Sequence, residues 1–239
     1  MAKRSIVQVA SDFDAVVTHF QDRGLVDAVP DPEQLSIARR MHQVTFSLIL
    51  WRFRLRDIPE CGRAFIEEIA SDALQCLPQA LMGYDKTTKL LIRGIIENTW
   101  RHIYFVDHPV EYARMNRDMK WYMTVEDLAA YPLLHPIFTK TETKFDAVGK
   151  LRSLYSELSA GVHGRRVDDL EMRLSLQQIR YDRNRFEAHA RCLERCGAAA
   201  NFILAAWHRQ QLSHFSAEDR RTILQILPPV ARSVWSDID

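Results

Sequence analysis

The chain has 239 residues, enough for one large domain or two small ones and enough to bury a substantial core. With 47% apolar and 26% charged residues it is excluded from the disordered class. Lys plus Arg number 32 against 31 Asp plus Glu, so no global charge draws it to nucleic acid or an anionic membrane, and any polyanion must be met by a local patch. The four cysteines, Cys61, Cys76, Cys192 and Cys196, form no CxxC pair and suit a reducing compartment. The opening MAKRSIVQVASDFD lacks an apolar signal core, and no apolar run approaches the ~20 residues of a membrane span. A cytoplasmic protein with no membrane partner is the expectation.

The chain has only 8 Gly and 9 Pro, and the apolar period is helical nearly throughout. The spacing predicts a first helix over 5–23, with Ile6, Val9, Phe13, Val16, Val17 and Phe20 on one face and Gly24 as its stop. Asp31-Pro32-Glu33 is a helix start, and that helix is expected to run to about Arg56. A third helix follows from Pro59 to Leu77, where Pro78 should break or kink it. Asp85 or Thr87 opens a strong fourth helix, closed by Pro109, and another is expected over 109–122. Thr124-x-x-Asp127 has the form of a capping box. YPLLHPIF, with two prolines, reads as the clearest loop in the chain. Beyond it, Phe145, Val148, Leu151, Leu154, Tyr155, Leu158 and Val162 keep helical spacing, ending near His163-Gly164. A long helix is expected over about 176–212, and Ser216-x-x-Asp219 caps a last short one before Pro228-Pro229. The fold expected is an all-α, mainly antiparallel helical bundle: one domain over 1–239, with 131–140 as the candidate subdivision.

Two polar stripes stand out. Arg93, Glu97 and Arg101 recur every four residues on a helix otherwise rich in Leu, Ile, Trp and Phe. They suit either an intrahelical salt-bridge stripe or a charged pocket wall in which two arginines grip phosphate while Glu97 holds them. Tyr155, Ser159 and His163 form the second stripe, all able to donate and accept hydrogen bonds. His163 suits a helix-end cap as well as a proton carrier. The two stripes are expected to face each other. No serine-nucleophile elbow surrounds Ser159.

LYSELSAGVHG resembles the Tyr-x-x-Leu-Ser-x-x-Val-His pattern of HEPN-like proteins, and IRGIIENTWRHIYFVDHP resembles the Arg-x-x-x-Glu helix that accompanies it there. The likeness spans about Leu90–Gly164, a third of the chain. It implies a commonly dimeric helical bundle from bacterial defence or toxin systems. Active members of that group are metal-independent endoribonucleases needing no cofactor. It further implies His163 as general base on a ribose 2′-hydroxyl, with Arg101, held by Glu97, stabilising the phosphate oxygens. Arg93, Tyr155, Ser159, Arg165 and Arg166 would bind RNA. The chain departs from the active signature: Leu158 stands at the arginine position and Ser159 at the asparagine position. Arg101-His102…His108 and Arg183-Asn184…His189 fit the same spacing loosely. The other reading is a non-catalytic subunit that binds a partner protein. Phe202, Leu204 and Trp207 would offer an apolar helix face to a second copy or a partner.

Three further patterns remain. His189, Cys192 and Cys196 share a helix face, but structural zinc needs a fourth ligand and uses tighter Cys pairs, so no metal is expected. Trp51-Arg-Phe-Arg-Leu-Arg56 interleaves aromatic and basic residues, suiting either a nucleic-acid strand or a snorkelling basic helix edge. Arg180–Arg195 is rich in arginine, a polyanion patch or a solvated face.

Overall fold

The computed structural model describes residues 2–27, 31–141, 145–163 and 172–235. Among these, all regular structure is helical. Five long helices carry the fold: α2 (Pro32–Arg54), α3 (Glu60–Leu81), α4 (Asp85–Asp107), α8 (Ala147–His163) and α9 (Arg183–Trp207). Helix α1 (Ala2–Asp22) lies against α2 and α11 (Ala217–Leu224), burying Val9, Phe13 and Phe20. The shorter helices are α5 (Pro109–Arg117), α6 (Val125–Leu134), α7 (Pro136–Thr141), α10 (Arg209–Ser213) and α12 (Pro229–Arg232).

Contacts between side chains set the directions. Asp85 meets His189, Ile92 meets Cys196 and His102 meets His208, so α4 and α9 run parallel. Arg40 meets Glu187 and Trp51 meets Asn201, so α2 runs with them. Thr45 reaches Ala73, and Phe65 stacks on Phe105, so α3 runs against α2 and α4. Glu157 meets Arg195 and Phe145 meets Phe202, so α8 runs against α9.

Helix α9 is the axle. Its small residues let neighbours approach: a Cβ on Gly197 would run into Val44 of α2. Beside that crossing, Trp51 donates to Asn201 Oδ1 at 2.9 Å, and Asn201 Nδ2 donates to Ser47 Oγ at 2.9 Å and to the Gly197 carbonyl at 2.8 Å. Each fully buried Phe- or Leu-sized side chain along α9 contributes roughly 1.5–3 kcal/mol.

The caps read from sequence are in place. Asp31, Thr124 and Ser216 each accept from a backbone N–H of the turn they open. Several expectations need correction. Pro78 lies inside α3, which continues to Leu81; the carbonyl it leaves without a partner belongs to Leu74, on the exposed side where water reaches it. YPLLHPIF is not a loop: Pro132 sits in α6 and Pro136 opens α7, so both prolines are placed near helix ends. The long helix starts at Arg183, not near 176, because Asp182 caps it by accepting from Arg185 N–H. Phe202, Leu204 and Trp207 offer no surface to a partner, since all three are buried in the core of this same chain. No described helix is long and apolar enough to cross a membrane.

Candidate functional site

Helices α4 and α8 meet along the two polar stripes. Arg93 Nε donates to Glu97 Oε1 at 2.9 Å, and Arg93 Nη2 donates to the Tyr155 hydroxyl at 2.7 Å. Tyr155 in turn donates to Glu97 Oε1 at 3.1 Å. The Arg93 guanidinium also lies 4.8 Å from the Tyr155 ring centroid, a cation–π contact. Arg101 closes the other side, with Nη2 to Glu97 Oε2 at 3.3 Å and Nη1 to Asn98 Oδ1 at 3.2 Å. Burial and the Glu97 carboxylate hold the Tyr155 phenol above its ordinary range, so it stays a donor. Glu97 and Arg93 are 17% and 19% exposed and Arg101 is 36%, so solvent reaches mainly the outer arginine.

The predicted meeting of the stripes therefore holds for Arg93, Glu97, Arg101 and Tyr155. Ser159 is buried, and its hydroxyl has no hydrogen-bond partner among the described residues. Position 163 is the last turn of α8; its side chain, and all of Arg165 and Arg166, lie outside the described residues. The helix directions fix where the 163 backbone stands. Tyr155 lies level with the middle of the Arg93–Glu97 turn, and α8 then runs toward the N-terminal end of α4. At 1.5 Å per residue, position 163 and Arg101 lie on opposite sides of that level, separated along the axis by about 20 Å.

One residue that sequence reasoning missed joins the cluster. Asp72 of α3 is 8% exposed and packs against Gly94, where an added Cβ would strike its carboxylate. Burial first, then the nearby Glu68 and Glu97, pushes this carboxyl up to about 7. The signal was Gly94 itself, a glycine inside an otherwise strong helix pattern, which marks close approach by a neighbour.

Other polar groups are committed elsewhere. Asp85 gathers Arg173 at 2.7 Å, His189 at 3.0 Å and Arg185 at 3.2 Å, and hydrogen bonds from His189 and Arg173 hold its carboxyl below the usual range despite burial. His189 is thus engaged by a hydrogen bond to Asp85, and Cys196 Sγ points to the Ile92 carbonyl at 3.9 Å. Along the basic stretch, Arg183 pairs with Glu33, Arg191 with Glu187 and Arg195 with Glu157, so it is a laced, solvated face. His102 and His208 form a buried pair, Nε2 to Nε2 at 2.7 Å. His102 Nδ1 lies 2.9 Å from the Gly62 carbonyl and must carry a proton there. Its Nε2 is then bare and accepts from His208 Nε2–H. Burial lowers both imidazoles, His102 to about 4. Compared with models of known protein families, with curated proteins and with solved structures, the chain matches none, and the site rests on its own geometry.

Proposed function

We propose that the protein is a HEPN-like, non-catalytic helical subunit of a bacterial defence or toxin system that binds a partner protein and does not cleave RNA. In this reading the Arg93–Glu97–Arg101–Tyr155 cluster is a structural lock between α4 and α8. The observation that carries it is the closure of that cluster: both guanidiniums are engaged by Glu97, and Tyr155 seals it from the facing helix. The distance along the bundle between Arg101 and position 163 points the same way, because a base and a phosphate-stabilising arginine must converge within hydrogen-bond reach of one phosphate. A copy-to-copy interface is the remaining route by which the two could meet, as in a homodimer.

The test is incubation of the purified protein with mixed cellular RNA in EDTA. Intact RNA, together with a partner protein that co-purifies in fixed ratio, is the expected result. Cleavage that survives EDTA and vanishes in His163→Ala overturns it. It would establish instead a metal-independent endoribonuclease with His163 as base and Arg101, positioned by Glu97, at the phosphate.

A further inference from the structure

The stretch Trp51–Arg56 ends helix α2, and its residues divide between core and surface. Trp51 and Leu55 are fully buried. Phe53 points out and is 60% exposed, an unusual position for an apolar ring of its size. It borders a cleft of about 710 Å³ between the end of α2 and the turn after α10. Phe46 and Phe215 form apolar wall, while His214, Gln211 and Gln8 face in beside them.

The cations are arranged around the ring. The Arg52 guanidinium lies 5.8 Å from the Phe53 centroid. Arg54 is held by Asp219, a buried carboxylate that Ser216 also bonds at 2.7 Å, so this guanidinium is fixed in place. Arg56 is 78% exposed and only loosely paired, 3.6 Å from an Asp57 that is itself 90% exposed. Such a pair is worth little in water and yields readily to a phosphate. Three arginines thus flank one exposed aromatic face, against two carboxylates of which one is buried.

We propose that this cleft binds single-stranded nucleic acid. One base stacks on Phe53, phosphates run past Arg52 and Arg56, and the amide of Gln8 meets a base edge. Stacking needs an unpaired base, which is why a single strand suits the site and a duplex does not. The inference stands apart from the proposed function, since the cleft lies away from the α4–α8 lock.

Fluorescence anisotropy of the full-length protein with labelled U12, dT12 and a 12-base-pair RNA duplex tests it. Single strands should bind at least tenfold tighter than the duplex, and the tighter of U12 and dT12 identifies RNA or DNA as the ligand. Phe53→Ala should weaken binding by about tenfold while Phe53→Trp retains it. Arg56→Glu should weaken it and lower the salt dependence by about one phosphate contact. Arg117→Glu, on α5, should leave it unchanged. Unaltered melting temperatures are expected, because Phe53 and Arg56 are surface groups. No single-strand binding at 100-fold protein excess over probe concentration of about 1 µM, equal affinity for duplex, or wild-type affinity in Phe53→Ala would overturn the proposal. So would a protein partner lost on Phe53→Ala while U12 and dT12 still bind.

Discussion

Glu97 accepts from three donors at once, two from its own helix and one across the α4–α8 gap. Removing it takes the carboxylate from Arg93, which keeps its bond to the Tyr155 hydroxyl, and leaves that hydroxyl without its acceptor, which costs more than a surface pair and less than a fully buried one. Glu97→Ala should therefore lower stability by about 2 kcal/mol in urea denaturation. Glu97→Gln, which keeps an acceptor oxygen, should lose less. A loss below about 0.5 kcal/mol, the surface-pair value, would show that the cluster is not a lock. Ser159 tells the opposite story. Its hydroxyl is buried without a described partner, so Ser159→Ala should be neutral or stabilise slightly. A clear destabilisation would mean the hydroxyl is bonded.

At the scale of elements, α3, α4 and the start of α10 are joined by two groups that titrate in opposite senses. Asp72 has its folded value raised to about 7, above the unfolded carboxyl range near 3.8. The folded state then binds more protons between those values, so Asp72 favours folding as pH falls from about 7 toward 4. His102 has its folded value lowered from 6.5 to about 4. The unfolded state binds more protons in that window, so the histidine disfavours folding as pH falls through it. His208 is lowered by burial as well, so Asp72 offsets only part of the histidine slope, and wild-type stability should fall moderately from pH 6.5 to 4. Asp72→Asn should expose the histidine slope and make the protein markedly more acid-sensitive, read as the urea midpoint against pH. Parallel curves for the two proteins would refute the assignment. Neither group was legible in the sequence as a site. Aspartate and histidine on helices are ordinary there, and only the meeting of α3 with α4, and of α4 with the end of α9, takes them out of water. The stripe of Arg93, Glu97 and Arg101 was legible because spacing of four sets a helix face before any tertiary contact forms. The helix ends were legible where a side chain caps them, as at Asp31 and Ser216, and misread where a proline sits in a last turn, as at Pro78 and Pro132.

Across the whole molecule the core is continuous. Phe138 of α7 is fully buried and meets Phe202 edge-on, and Trp235, near the end of the described chain, meets the same ring. Phe138 thereby packs the segment 131–140 into the core. Unfolding followed by circular dichroism at 222 nm and by tryptophan fluorescence should give coincident midpoints, the mark of one cooperative unit. Midpoints that separate would divide the bundle.

Three of the long helices, α2, α4 and α9, point the same way, and their starts are bound together by Asp85 with Arg185 and His189 and by Glu33 with Arg183. Helices α3 and α8 run the other way and offset two of these three dipoles, so a net of about half a positive charge gathers at that end of the bundle and an equal negative charge at the other. The side chains answer this polarity. Asp31, Asp85 and Asp182 stand one at each start, and the arginines at 52, 54 and 56 collect where α2 finishes. A chain of formal net charge +1 thus has a built-in axis. Its two poles would orient differently in the field of a charged partner, before any contact is made.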